Sequence, residues 1–312
     1  MAEPDRANLA QAMSDLDPKD KAPASARILN AWITQAQGQL GSAGPRLGWL
    51  VAATVVSAAL QRAVDDSGAP LFLLKGGTMM QYRLPGMSRT TQDIDGLIRG
   101  DIDAFLAELD GALSEPWGPL TLVRDDVEII DVPYLVVKPR RFHITVQLRG
   151  VTWRRVQIEI APDEGGAGSA PDTFAAPSLA GFGLPTPERI AGLSMSYQIA
   201  QKIHACADPH SPPVYNDRAR DVVDLLLLRD LVRATGNPSP AEIRRAIEDV
   251  FAARAAEAKI AGVQPRAWPA TVTAHPHWDT SFARAAESAT VDLTLTDAVG
   301  QLAHWLDEIA RA

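Results

Sequence analysis

A segment rich in glycine and proline divides this chain into two different kinds of sequence. Residues 161–187 read APDEGGAGSAPDTFAAPSLAGFGLPTP and contain five glycines and five prolines. Proline lacks the backbone N–H that helices and sheets use, and glycine weakens both, so this stretch is unsuited to a long helix or a central strand. It predicts a boundary that separates one domain over residues 1–185 from a second over residues 186–312.

Before this boundary the pattern indicates a mixed α/β fold. Apolar residues recur at helical spacing over about 26–42, 46–64 and 101–113, and a brief helix is expected at 78–82. Apolar or alternating runs predict strands at 70–74, 94–98, 134–137, 142–148 and 151–160. These elements do not repeat with regular βαβ spacing, which favours a mixed sheet over a doubly wound one.

Beyond the boundary nearly every pattern is helical. Thr186 followed by Pro187 predicts a helix that runs to about residue 207. A second helix is expected over 217–233, and a capping box at residues 239–242 begins a third. A fourth, over 296–310, has one apolar stripe formed by Val299, Leu302, Leu306 and Ile309. We therefore expect a C-terminal helical bundle.

Charge and cysteine content exclude several classes of protein. The chain has 312 residues, with 30 Lys and Arg against 38 Asp and Glu, so its net charge of −8 argues against a surface that is basic throughout. The lone Cys206 cannot form an internal disulfide or, by itself, a thiolate zinc site. The N-terminus lacks the features of a signal peptide, and the uncharged apolar run at 47–60 is too short to cross a bilayer. We expect a cytoplasmic protein with no membrane contact.

The sequence Lys75-Gly76-Gly77-Thr78 predicts a phosphate-binding turn. A strand that ends at two glycines and leads into a helix at Thr78 presents backbone N–H groups at a positive helix end, without Cβ atoms to block a phosphate. The simpler interpretation is an ordinary tight turn.

Two carboxylates follow on a predicted strand. Asp93 and Asp95 are two residues apart, so in an extended strand both side chains point to the same face. Such a pair suits Mg²⁺, which binds one or two carboxylates together with phosphate oxygens and water. A D-x-D pair at a solvated strand end is the alternative, and neither motif is specific by itself.

Four pieces in one order resemble the AbiEii/AbiGii nucleotidyltransferase family: KGGT at 75–78, RTTQDID at 89–95, the lysine of SYQIAQKIHA and the run NDRARDVVDL. The resemblance spans about residues 71–228. Family members are toxins of type IV toxin–antitoxin and abortive-infection systems, with a core like that of DNA polymerase β. The resemblance implies a nucleotidyltransferase domain with N-terminal helices over 1–185 and a helical domain over 186–312 that closes the nucleotide cleft.

The resemblance also implies roles for individual residues. The second-domain lysine that steadies the triphosphate matches Lys202, and the acidic motif after it matches Arg218, Arg220, Asp221 and Asp224. The predicted catalytic residues are Asp93, Asp95, Lys202 and Asp221. The predicted nucleotide-binding residues are Lys75, Gly76, Gly77, Thr78 and Arg218. The spacing from turn to first carboxylate is longer here than in the shorter family motif, which leaves the loop at 83–89 without a role.

Cores of this kind commonly use a third carboxylate on a neighbouring strand. Alternation in VTWRRVQIEI places Trp153, Arg155, Gln157 and Glu159 on one face, so Glu159 is the predicted third metal ligand beside Asp93 and Asp95. Asp163 is a substitute, and an exposed strand face with no metal is the alternative. Lys202 has the alternative of facing water, and Asp221 and Asp224 that of an ion pair with Arg218 or Arg220.

A basic segment suggests where an acceptor would bind. Residues 138–155 contain six Lys or Arg and no acidic residue, which favours a surface for the phosphates of a polynucleotide. Pairing of these cations with the four carboxylates of 124–131 is the alternative. The run His275-Pro276-His277-Trp278-Asp279 lies in a proline-rich setting that predicts a loop, not a metal site.

The resemblance implies an Mg²⁺-dependent enzyme that transfers NMP from an NTP to an RNA acceptor, namely a tRNA 3′ end. This transfer would block translation, and the enzyme would have a cognate antitoxin. One alternative is the same transfer to a protein or small molecule. The other is a nucleotide-binding regulatory module that catalyses no transfer.

Overall fold

The computed structural model describes residues 9–39, 46–84, 88, 91–132, 135–208 and 215–312. The helices are α1 (Leu9–Ser14), α2 (Ala26–Gln39), α3 (Leu47–Leu60), α4 (Gly76–Arg83), α5 (Ile102–Ser114), α6 (Met195–Cys206), α7 (Ala219–Thr235), α8 (Pro240–Ile260), α9 (Asp279–Ala289) and α10 (Leu295–Arg311). The strands are β1 (Phe72–Lys75), β2 (Asp93–Ile98), β3 (Leu120–Arg124), β4 (Glu128–Ile129), β5 (Arg140–Leu148), β6 (Val151–Pro162), β7 (Asp172–Ala175) and β8 (Arg189–Gly192).

These strands form an eight-stranded mixed sheet in the order β3-β5-β6-β2-β1-β8-β7, with β4 paired to the same edge of β5 as β3. β6 runs parallel to β2, and β1 runs parallel to β8, whereas the other neighbours are antiparallel. The prediction of a mixed α/β sheet followed by helices is therefore confirmed. None of the described helices is long and apolar enough to cross a membrane.

Alternation along the strands decides which face of the sheet is covered. In β5 and β6 the buried positions include Phe142, Ile144, Val156 and Ile158, and α2 and α3 pack on this side of the sheet. The positions between them are only partly buried or exposed. A polar face therefore remains open along β5 and β6, next to β2.

The apolar core forms two clusters. The first fills the space between the sheet and α2, α3 and α5, and extends along the chain to Leu193. The second begins with Met80 and Leu84, continues at Met195 and runs through α6 to α10. Since α4 contributes Met79 to the first cluster and Met80 to the second, this short helix joins them. The proposed division of domains at residue 185 remains a prediction.

Several local predictions are confirmed. α3 is buried along almost its whole length. The capping box of α8 is formed by Ser239 and Glu242, each accepting a hydrogen bond from the backbone of the other. On α10 the predicted stripe is largely buried, although Val299 is only partly covered.

Other local predictions are wrong. The expected helix start at Thr186 is absent, because residues 189–192 form β8 between β1 and β7, and α6 begins only after the Ser194 cap. Residues 135–137 form no strand, and Tyr134 lies outside the described residues. Trp153 does not share a face with Arg155. A β-bulge leaves Trp153 without a partner on β5, and its side chain is buried, with Nε1 donating to Asn30.

Candidate active site

The two carboxylates of β2 lie on the open face of the sheet. Asp93 and Asp95 are partly buried while Ile94 and Gly96 between and beside them are fully covered, so both carboxylates share one side as expected. Thr91 Oγ1 donates a 2.8 Å hydrogen bond to Asp93 Oδ1. The pair is thus fixed by strand geometry and by one neighbouring hydroxyl.

The two glycines belong to a helix and not to a loop before it. α4 begins at Gly76, two residues earlier than predicted, directly after the extended Lys75. Gly76 has φ +65°, and a Cβ placed on it would lie 1.9 Å from Oδ2 of Asp95. Only glycine therefore allows the helix N-terminus to approach this carboxylate so closely.

Thr78 is buried and connects α4 to β2. Its side chain is fully buried, and Oγ1 donates a 2.6 Å hydrogen bond to the carbonyl oxygen of Asp93. The residue links α4 to β2 and is not among the described residues that line the cavity. Contact with a phosphate, predicted for Thr78, is better suited to the backbone of Gly76 and Gly77.

The opposite wall comes from α6 and α7. Lys202 Nζ lies 2.6 Å from Asp221 Oδ1 and 2.7 Å from Asp224 Oδ2, and the Asp224 side chain is fully buried. Arg218 lies 3.8 Å from Asp221 and is half exposed. The alternative of an ion pair with Arg218 therefore applies to Asp221, although the nearest cation to both aspartates is Lys202. The alternative in which Lys202 faces water is wrong, because its side chain is 8% exposed.

These walls enclose a cavity of about 380 Å³. It is lined by Lys75, Gly76, Gly77, Thr91, Asp93, Asp95, Glu159, Gln198, Gln201, Lys202, Ala205, Asp217, Arg218, Arg220 and Asp221. Most of the predicted site residues, distant in sequence, therefore share one cavity. Thr91, Gln198 and Gln201 were not predicted, since an amide or hydroxyl on a helix or loop carries no distinctive pattern.

Gln198 occupies a buried position on the cavity wall. It is 2% exposed, and its Nε2 donates a 3.4 Å hydrogen bond to the carbonyl oxygen of Gly76. Its Oε1 is buried and has no hydrogen-bond partner among the residues that the structure describes. The amide therefore ties α6 to the first turn of α4 across the cavity.

The third-carboxylate candidates differ in position. Glu159 lies directly beside Asp95 in the parallel β2–β6 register and lines the cavity. Asp163 lies outside it, and both of its carboxylate oxygens accept from the backbone N–H of Gly168. Within the described part of the chain, no three His, Cys, Asp or Glu side chains converge as metal ligands.

The electrostatics of the pair nevertheless suit a cation. Burial, followed by the nearby charge of Asp93, raises the pKa of Asp95 to about 6. Two close carboxylates in a partly enclosed site are stabilised by a proton or a divalent cation between them. Asp93 and Asp95 supply the hard oxygen donors that Mg²⁺ prefers, and a site with two protein carboxylates completed by phosphate and water is usual for that ion. Asp93 and Asp95 are thus suited to hold Mg²⁺.

The basic segment at 138–155 is largely compensated by acids. Arg155 pairs with Asp125 at 2.5 Å and Lys138 with Asp131 at 3.1 Å, as the alternative interpretation expected. Arg141 pairs instead with Glu159 at 2.7 Å. A strongly positive surface is therefore not present at these three cations.

The histidine run at 275–279 and the lone cysteine lie outside this cavity. Residues 276–278 form one turn of 3-10 helix, and His277 Nε2 hydrogen-bonds to the carbonyl of Asn216, as suits a structural segment. Burial lowers the pKa of His204 to about 3 and raises the pKa of the buried Cys206 thiol well above its usual range. Neither side chain lines the cavity described here.

Nine chains of solved structures match this chain, and three of them are as follows. MenT4, the nucleotidyltransferase toxin Rv2826c of Mycobacterium tuberculosis H37Rv, is 15% identical, with 91% of this chain and 99% of that chain covered and a TM-score of 0.40. A candidate nucleotidyltransferase from H. pylori is 13% identical, with 84% and 92% covered and a TM-score of 0.41. JHP933 from Helicobacter pylori is 14% identical, with 84% and 95% covered and a TM-score of 0.36. No curated protein sequence matches the chain.

A family model gives the assignment. The model described as nucleotidyl transferase AbiEii toxin, type IV TA system, matches residues 58–301. This match covers most of the chain and includes every residue that lines the cavity. The chain therefore belongs to the AbiEii nucleotidyltransferase toxin family of type IV toxin–antitoxin systems.

Proposed function

We propose that this nucleotidyltransferase uses Mg²⁺ to transfer NMP from an NTP to an RNA acceptor, namely a tRNA 3′ end, and that this transfer blocks translation. The observation that carries the proposal is the contact between Gly76 and Asp95, which brings a helix N-terminus and a carboxylate pair into one cavity. A helix N-terminus attracts phosphate, and a carboxylate pair binds the cation that accompanies a triphosphate. Together, the two features suit a substrate that carries phosphate and a divalent cation.

In the proposed reaction an acceptor hydroxyl oxygen forms a bond to the α-phosphorus of the NTP. The bond from that phosphorus to the β-phosphate oxygen breaks, pyrophosphate leaves, and the hydroxyl proton passes to solvent. Mg²⁺, when bound, would supply positive charge that favours the attacking oxygen and the leaving group. The chain contributes mainly by orienting the substrates and excluding water from one side.

The protein groups have distinct roles in this proposal. Asp93 and Asp95 hold the cation, and the N–H groups of Gly76 and Gly77 bind phosphate oxygens. Arg218 is half exposed on the cavity wall and offers its guanidinium to the triphosphate. Lys202, whose charge is balanced by two carboxylates, keeps α6 and α7 in position beside the nucleotide.

The choice of RNA as acceptor rests on what the resemblance of the sequence to this family implies. The compensated charges at Arg155 and Lys138 give it less support than the sequence suggested. An antitoxin partner follows from the type IV toxin–antitoxin assignment. Transfer to a protein or small molecule, or NTP binding without transfer, would be visible in the same experiment.

The test is to incubate the purified chain and Mg²⁺ with each of the four NTPs labelled at the α-phosphate, with and without total cellular RNA. Label in RNA, followed by mapping to a tRNA 3′ end, supports the proposal. Label in protein or in a small molecule assigns another acceptor, and bound NTP without pyrophosphate release indicates a regulatory module.

Matched carboxylate variants show whether label depends on the cavity. Asp93→Ala should lower transfer at least about a hundredfold, because it removes a cation ligand on the open face and no core packing. Asp307→Ala removes an exposed carboxylate on α10 and should leave transfer unchanged. Full transfer by a folded Asp93→Ala variant would contradict the assignment.

A further inference from the structure

Glu159 is held through one of its two carboxylate oxygens. Its Oε1 accepts from Arg141 Nε at 2.9 Å, from Arg141 Nη2 at 2.7 Å and from Gln157 Nε2 at 3.1 Å. Two guanidinium N–H donors meet this one oxygen, so the charge of the carboxylate is compensated and Oε1 is held toward β5. The carboxylate nearest to Asp95 on the neighbouring strand is therefore restrained by a residue of β5.

The register explains why Arg141 reaches it. Lys75 is opposite Asp95 in β1–β2, Asp95 is opposite Glu159 in β2–β6, and Glu159 is opposite Arg141 in β5–β6. Residues opposite one another share a face of the sheet. One row across four strands therefore has the charge order positive, negative, negative, positive, with a cation at each end of the carboxylates.

Arg141 differs from the other cations near the site. Glu159 lines the cavity, whereas Arg141 does not and acts on the cavity only through Glu159. The Arg141 side chain is 38% exposed. The Arg141 guanidinium can therefore leave Glu159 and bind another anion without any loss of core packing.

We propose that Arg141 is a positioning residue that holds Glu159 away from the cation site, so that Asp93 and Asp95 alone bind a divalent cation until the Arg141–Glu159 contact is broken. This inference rests on the proposed function, since it assumes a cation at the aspartate pair. It agrees with the absence of three converging ligands among the described residues. Removing Arg141 should free a third carboxylate and take away a nearby positive charge, and both changes favour a cation.

The test is a double-mutant cycle read by binding of Mn²⁺, a paramagnetic substitute for Mg²⁺, followed by electron paramagnetic resonance without NTP or acceptor. Arg141→Met should bind Mn²⁺ roughly tenfold more tightly than the unmodified chain. Glu159→Gln alone should weaken Mn²⁺ binding by no more than about threefold, because it removes one nearby negative charge and no cation ligand. The double variant Arg141→Met/Glu159→Gln should lose most of the gain.

Arg155→Met is the matched control. Arg155 lies on the same sheet face, next to Gln157, and pairs with Asp125 instead of Glu159, so its loss removes equal charge without freeing a carboxylate of the site. Circular dichroism and thermal unfolding verify the fold of each variant, and a conservative Arg141→Lys variant should keep Mn²⁺ affinity near that of the unmodified chain.

Three results would overturn the inference: weaker or unchanged Mn²⁺ binding by a folded Arg141→Met variant, an equal gain with Arg155→Met, or a loss of about tenfold or more with Glu159→Gln alone. The last would show that Glu159 is already a ligand. Absence of Mn²⁺ binding in the unmodified chain and in all variants would count against the proposed function itself, and is distinguishable from these.

Discussion

At the scale of single residues, the site depends on a missing side chain. Gly76 has a positive φ, and Oδ2 of Asp95 occupies the space where its Cβ would be. Other amino acids adopt this backbone conformation at a cost of about 1–3 kcal/mol, before any collision is counted. The same glycine places the first N–H groups of α4 beside the carboxylates, so conformational and chemical requirements coincide at one position.

Gly76→Ala should destabilise the chain by about 1–3 kcal/mol and reduce NTP binding, because the added methyl group must displace Asp95. Urea unfolding and NTP titration measure the two effects. Gly300→Ala is the control: Gly300 is inside α10, and among the described residues no atom beyond the adjoining helix backbone lies within 4 Å of a new Cβ, so this change should stabilise by up to about 1 kcal/mol. Normal NTP binding by Gly76→Ala would show that the close approach is not required.

At the scale of elements, α6 and α7 are joined by a buried charge cluster. Lys202 on α6 balances Asp221 and Asp224 on α7, and the side chains of Lys202 and Asp224 are 8% and 0% exposed. Removing one member of a buried pair leaves a charge without compensation, which costs more than the pair contributes. The loss of activity in a simple Lys202 variant would therefore not distinguish a role with substrate from a role in folding.

We expect Lys202→Met to destabilise the chain by about 3–5 kcal/mol, and the double variant Lys202→Met/Asp224→Leu to recover much of this stability, since it removes the most buried carboxylate as well. Urea unfolding measures both. If the folded double variant binds NTP normally, Lys202 acts by holding the helices. If it folds but does not bind NTP, the lysine contacts the triphosphate, contrary to the role proposed above.

At the scale of the whole molecule, a polar junction connects the sheet to the helical part. The Oδ2 atom of Asp249 on α8 accepts hydrogen bonds from Gly166 N at 2.6 Å and from the Tyr197 hydroxyl at 2.7 Å. Arg254, also on α8, pairs with Glu164 of the same glycine-rich segment. Because Tyr197 lies on α6, this junction also determines where the cavity wall stands relative to β2.

Asp249→Ala should lower the unfolding free energy by about 2–3 kcal/mol, since two donors lose a charged acceptor. Hydrogen–deuterium exchange should become faster in residues 163–168 and in α6, with a several-fold loss of NTP affinity. Glu248→Ala, which removes a half-exposed carboxylate one residue earlier on the same helix, is the control. Unchanged exchange in both segments would show that the junction does not position α6.

The sequence predicted well wherever a local period carried the signal. The two-residue spacing of Asp93 and Asp95 places both on one face of β2, and the capping box of α8 forms as read. β8 was missed because its four residues have no period long enough to detect, and pairing with β1 and β7 makes them a strand. Thr186 and Pro187 then suggested a helix start, and the observed cap, Ser194, lies eight residues after Thr186.

The position of Arg141 shows where local reading stops. Near the β5–β6 turn Leu148 pairs with Val151, and an unbroken hairpin would continue by pairing Arg140 with Glu159. The bulge at Trp153 shifts the register by one residue, so Arg141 pairs with Glu159 instead. A one-residue shift moves every side chain to the other face, and the sequence has no local signal for the bulge.

By itself, then, the sequence determined the class of fold, the aspartate pair and the need for glycine after β1, because strand alternation and glycine's freedom are properties of adjacent residues. Tertiary structure decided which groups neutralise which. Lys202 meets Asp221 and Asp224 only because α6 packs against α7, and Arg141 meets Glu159 only because a bulge sets the register. Charge compensation acts through space between segments distant in the chain, so it exists only once packing has brought those segments together.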